Sequence, residues 1–179
     1  MYATSAAGPW LSELYACADR SSVVLNLTPG SPDISVRLGE PETLVSPAYQ
    51  IAEEEILIVT NRESPLQNLT SEEAQALFAG KGDPSVQVWA YAPRDDLQLA
   101  FDRLVMKGQA VTSFARLAAS PQQMSDILNA DHNAVGILSR HWKVGTVREV
   151  YSAGTVPVLA ITQSEPTGAA RELIACLQK

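Results

Sequence analysis

Apolar residues along this chain recur at two spacings, and the spacing switches back and forth. Tyr2 to Ser5 is short and β-compatible. Ala6-Ala7-Gly8-Pro9 turns the chain, and Leu11, Leu14, Tyr15 and Ala18 then mark one helix face at i, i+3, i+4 and i+7. Ser22 to Leu27 predicts a strand closed by Pro29-Gly30. Ile34, Val36 and Leu38 alternate, so Asp33 to Leu38 predicts another, ended by Gly39 and Pro41. Glu55 to Thr60 is the most apolar strand, and the polar stretch 61–68 that follows is a candidate boundary between lobes.

The second half repeats the rhythm. Thr70 with Glu73 forms a predicted capping box for a helix that buries Ala74, Leu77 and Phe78 and stops at Gly80. Val86 to Tyr91 predicts a strand. Asp95 caps a helix with the stripe Leu97, Ala100, Phe101, Leu104 and Val105, and Gln98 is its expected capping partner. Ser120-Pro121-Gln122-Gln123 opens a further helix, with Gln123 in the capping-box position and Met124, Ile127 and Leu128 inward. Asn133 to Leu138 is a short strand with Gly136 inside it. Val156 to Thr162 is another, whose Pro157 argues for an edge or a strand start. Thr167 to Gln178 closes the chain as a helix on Ala170, Leu173, Ile174 and Leu177. Strand and helix alternation of this kind predicts α/β layering with largely parallel sheets.

Composition narrows the function classes. A chain of 179 residues holds one good core or two small lobes. Its longest apolar run, Ile56 to Val59, falls far short of the roughly 20 residues that span a bilayer. The net charge is −7 and the Lys and Arg residues are scattered, so no nucleic-acid partner is expected, because phosphate neutralisation needs clustered cations. Met1-Tyr2-Ala3-Thr4 begins without a charged or apolar leader pattern, which fits either a cytoplasmic protein or a mature domain with an added Met. Cys17, Cys176, His132 and His141 have no zinc-ligand spacing. No nucleophile elbow, Walker loop or Ser-His-Asp spacing appears. The chain is therefore expected to be no enzyme, with no catalytic residue, metal or cofactor. Trp10, Trp89 and Trp142 either stack on a ligand or sit in the core, which is the commoner place for a Trp in a strand or amphipathic helix.

The stretch ILIVTNRESPLQNLTSEEAQALFAGKGDPSVQVWAY, residues 56–91, resembles the phosphate-binding-protein branch of the type II periplasmic solute-binding proteins. Its sharpest part is Leu69 to Gly80, with Leu69-Thr70, acidic residues, Phe78 and Gly80 in order. NAVGIL at 133–138 and VPVLAIT at 156–162 extend the likeness over roughly residues 55–179. The resemblance implies a two-lobed α/β fold with a small first lobe. It places lobe 1 at 1–60 plus 150–179 and lobe 2 at 65–148, with hinge crossings at 61–64 and around 149. It further implies an extracytoplasmic monomer that captures a small-molecule ligand between its lobes by hinge closure, for a membrane permease of the ABC type. A non-transport sensor or scaffold domain with a vestigial cleft is the alternative. In this family a Ser-Gly-Thr opens a helix and holds an oxyanion; here Asp95-Asp96-Leu97 stand at that place, and carboxylates repel an oxyanion.

Four segments then become candidate ligand contacts, each following a strand or opening a helix. Thr4, Ser5, Ala6 and Gly8 lie between the first strand and helix; they read as an anion site at a helix N-terminus or as a plain turn capped by Ser5. Arg37 is placed to grip a ligand carboxylate, or to pair with Glu40 at the surface. Tyr91, Arg94 and Asp95 follow the second-lobe strand, where Asp95 also suffices as an N-cap. Thr112 and Ser113 complete the set. The family's element order brings the helices bearing Cys17 and Cys176 into one lobe, where they either form a disulfide or remain buried thiols.

Overall fold

The computed structural model describes all 179 residues. The chain divides into two compact units: residues 1–54 with 156–179, and residues 55–155. The division falls inside two long strands, β3 (Ala48–Asn61) and β7 (Val147–Thr162), so each unit uses part of both. The polar connector 61–68 lies wholly in the second unit.

In the first unit, β1 (Tyr2–Ala3) pairs parallel with β2 (Ile34–Leu38). β2 pairs antiparallel with the end of β7, from Ile34 opposite Thr162 to Leu38 opposite Val158. Pro157, just past that last pair, lies beyond the stretch bonded to β2, and its carbonyl accepts from the Gly39 amide. That is why β7 tolerates a proline without a donor to give. Helices α1 (Leu11–Arg20) and α5 (Gly168–Leu177) pack together, burying Leu14, Cys17 and Ala18 on one and Leu173, Ile174 and Leu177 on the other. Cys17 and Cys176 are joined as a disulfide across that contact, with their Cα atoms 5.8 Å apart.

The strand expected at 22–27 does not form. The Asn26 carbonyl accepts from the Met1 ammonium and the Thr28 amide donates to the Met1 carbonyl, but no ladder follows. Val24 is 84% exposed and Leu27 51%, so the apolar run has no sheet face to bury against. β-Propensity without a covering layer does not make a strand.

In the second unit the strand order is β3, β6 (Ala134–Ser139), β4 (Gln87–Ala90), β5 (Arg116–Leu117). β3 and β6 pair antiparallel, whereas β4 is parallel to both β6 and β5. The expectation of largely parallel sheets is thus corrected to mixed sheets, because both long strands run antiparallel to their neighbours β2 and β6. Every residue of β6 is buried, as a central strand covered on both faces requires. Helix α2 (Ser71–Ala76) starts in the predicted capping box, with Thr70 and Glu73 bonded reciprocally, and its continuation runs over Leu77–Lys81 with Gly80, at φ of 80°, breaking the helical backbone inside it. Helix α4 (Pro121–Ala130) starts at Ser120, whose hydroxyl accepts from the Gln123 amide. The Gln123 side chain reaches the Ala119 amide instead of closing the box at Ser120.

Candidate functional site

Parallel pairing puts the C-terminal ends of β1 and β2 side by side, so 4–8 and 37–40 adjoin within the first unit: the Thr4 amide donates to the Val36 carbonyl. The loop 4–8 folds onto itself. The amides of Ala7, Gly8 and Trp10 donate to the carbonyls of Thr4, Ser5 and Ala7, and Leu11 donates to Gly8. Those donors are spent inside the turn, and Pro9 has none, which leaves few free amides for an anion. Ala6 is fully buried, Ser5 is exposed, and Thr4 and Gly8 are half-buried. Arg37 is half-buried within β2 rather than after it, opposite Leu159, and Glu40 is exposed beyond the turn at Gly39.

In the second unit, helix α3 (Asp96–Phe101) follows β4 through 91–95. Asp95 is its N-cap, and the carboxylate accepts from the Leu97 amide at 2.9 Å. The positive end of the helix is therefore already met by its own carboxylate. Asp96 is buried at 5% exposure and Arg94 is exposed. Gln98 does not close a capping box with Asp95. Its carbonyl accepts from the Tyr91 amide and its amide donates to Asp102 Oδ1, at 2.9 and 2.8 Å. Tyr91 is buried, and its hydroxyl donates to the Ile137 carbonyl at 2.8 Å. Burial drives the tyrosine pKa well up, with Asp95 adding to the effect, so the hydroxyl stays a donor.

Segment 109–115 is pinned by the Thr112 amide donating to the Phe78 carbonyl at 2.8 Å. The approach is close: a Cβ at Gly80 would lie 2.7 Å from Thr112 Oγ1, on a backbone already at positive φ. Pinning creates a cavity of about 420 Å³ with Tyr91, Thr112 and Ser113 in its lining. Three of the sequence-predicted residues thus meet in one place, whereas Arg94 and Asp95 do not line it. Asp102 and Gln98 do line it, and sequence reading missed both. Their signal was a polar pair at i, i+4 beside the apolar stripe. Asp102 is half-buried, its carboxylate has Gln98 as its one side-chain partner, and burial raises its pKa against the lowering by that hydrogen bond.

A wider groove of about 780 Å³ runs along 143–152 with Arg62, Lys143 and Arg148 in its wall. Its cations are largely spent. Arg148 donates to the carbonyls of Ser64 and Leu66, and Lys143 lies 3.5 Å from Glu149. Arg140 bridges Glu149 and Glu55, and this pairing, with Ser152, holds the Glu55 carboxyl below the usual range.

The fold is the type II periplasmic-binding-protein fold. A Clostridium perfringens putative phosphate ABC transporter substrate-binding protein with bound phosphate superposes with a TM-score of 0.86 at 15% identity, over 98% of this chain and 90% of that one. A Vibrio cholerae ABC-type phosphate transport receptor gives 0.74 at 18% identity, over 99% and 93%. The Synechocystis PCC6803 CcmR regulatory domain in complex with 2-PG gives 0.74 at 11%, over 99% and 93%. By sequence the chain matches no known family profile and no curated protein. The solved neighbours are binding proteins and regulatory domains.

Proposed function

We propose that the chain is an extracytoplasmic solute-binding protein that captures a small polar ligand and presents it to an ABC-type importer, with no chemistry performed on the ligand. The fold is common to transport receptors and regulatory domains, so one further observation has to choose between them. It is the Cys17–Cys176 disulfide, which ties α1 to α5 across 159 residues of sequence. Structural disulfides persist in oxidising compartments and are rare where glutathione keeps thiols reduced. Binding would use strand-end loops, the positions from which the candidate ligand contacts were drawn.

Asp95 adds a constraint on the ligand. In the family the sequence resembles, an oxyanion is held at this helix start; here the Asp95 carboxylate already accepts from the Leu97 amide, which disfavours an anion there. A thermal-shift screen against oxyanions, sugars, amines and amino acids tests the reading; a ligand at a hundred times its Kd stabilises by about 2.7 kcal/mol. At least one polar solute is expected to raise the melting temperature. Phosphate and sulfate at millimolar concentration are expected to leave it unchanged, and calorimetry showing micromolar phosphate binding would overturn that. Alkylation of both cysteines without reduction, in protein secreted to an oxidising compartment, would remove the basis for preferring transport over the alternative, a sensor or scaffold domain.

A further inference from the structure

The cavity between α3 and segment 109–115 has an unbalanced chemistry. Its walls include Pro93, Ala110, Val111, Ala115 and Leu117, and its lining contains no lysine or arginine. The Asp102 carboxylate stands among them half-buried, neutralised by no cation and held only by the Gln98 amide. Gln109, also in the wall, is fixed by donating to Gln75 Oε1 at 3.0 Å, which leaves its own carbonyl oxygen as an acceptor. Gln75 is fixed in turn by donating to the carbonyls of Val105 and Met106, both at 3.0 Å. An open, largely apolar wall with one anionic acceptor, a second neutral acceptor and no cation favours one class of guest. That guest carries a positive charge and a short apolar body, and no carboxylate or phosphate.

We propose that this cavity is a binding site for small organic amines, with Asp102 accepting the ammonium group and the Ala110–Val111 and Leu117 walls taking the hydrocarbon. The volume of about 420 Å³ lies in the range of small-molecule sites and admits a single compact amine. A free amino acid is disfavoured, because its carboxylate would meet no cation in the lining. The proposal names the ligand class for part of the site set out above and rests on that reading.

The probes are 2-phenylethylamine and n-butylamine, each against its neutral counterpart, 2-phenylethanol and n-butanol, by calorimetry on the full chain at neutral pH. Both amines are expected to bind and both alcohols to bind at least tenfold more weakly. Asp102→Asn is expected to weaken amine binding at least tenfold, whereas Asp126→Asn on the exposed face of α4 leaves it unchanged. Ala115→Phe, which fills the cavity and spares the carboxylate, is expected to abolish binding and provides an independent arm should Asp102→Asn fold poorly. No heat with either amine at millimolar concentration, or equal binding of amines and alcohols, overturns the amine class. If a sugar or another solute from the screen then stabilises the same protein, the amine class has failed and the solute-binding reading has not.

Discussion

Asp102 is a side chain whose ionisation costs the fold stability. Burial raises its folded-state pKa above the ordinary carboxylate value of about 3.9. For an acid this means that ionisation weakens the folded state relative to the unfolded one. The penalty is complete above the folded pKa and vanishes below the unfolded pKa. Asp102→Asn is therefore expected to melt higher than the wild type at pH 7, with the gap closing as the pH falls through the carboxylate range. Melting curves from pH 7 to 3.5 check this; a variant that is less stable at pH 7 would refute it. Glu55 has the opposite sign: Arg140 and Ser152 hold its pKa down, so its contribution is present above its unfolded value and is lost as the pH falls through the folded one. The two effects oppose each other in acid, and only the Asp102 part is removed by the Asn substitution.

At the scale of elements, the packing of α4 on β6 explains a glycine that propensity would not place there. An ideal Cβ on Gly136 would sit 2.4 Å from Met124 Sδ, and Met124 is fully buried. The missing side chain is the space the thioether occupies. Gly136→Ala is expected to destabilise by about 1–3 kcal/mol through overpacking, read as a lower urea midpoint. Gly136→Ala combined with Met124→Val, which withdraws the clashing sulfur, is expected to recover part of that loss. The glycine was visible in the sequence, but its reason was not, because the reason is a side chain twelve residues away on another element. Caps were legible for the same kind of reason in reverse. Thr70, Asp95 and Ser120 act on amides two or three residues on, so spacing alone exposes them. Their partner residues were legible only at Glu73. Gln98 and Gln123 each had another backbone amide in reach, and which one a glutamine chooses is decided by tertiary placement. The false strand at 22–27 failed likewise: an apolar run shows what could be buried, not whether a layer exists to bury it.

Over the whole molecule, the order of elements was enough to suggest the fold, since alternation and the 69–80 stretch together constrain the topology. Strand direction was not, because β3 and β7 extend well beyond their apolar cores into residues such as Ala48–Glu54 and Val147–Thr155 that carry no strong strand pattern. The candidate loops followed from strand ends, and Tyr91, Thr112 and Ser113 do meet; Asp102 stayed hidden because a carboxylate beside a helix stripe usually faces solvent. The disulfide is a crosslink whose loss can be read directly as a change in stability. It closes a loop of 159 residues, for which chain-entropy reasoning gives about 4–5 kcal/mol. Cys17→Ser with Cys176→Ser is expected to lower the melting temperature by more than the Gly136 change does. Adding reductant to the wild type should approach the same value, and a double variant that melts with the wild type would sink this estimate.

That crosslink also decides how the protein answers to force. Pulled from its two ends, the chain transmits tension through α1, the sulfur bridge and α5, so everything between residues 17 and 176 is shielded from the load. In an optical trap the oxidised molecule should yield almost no gain in contour length, however completely its sheets would otherwise unravel. Once a dithiol cuts the bridge, the same pull should release the sequestered segment, a sequence separation of 159, as about 50 nm of extended chain. A chain built this way is mechanically short while oxidised and mechanically long once reduced.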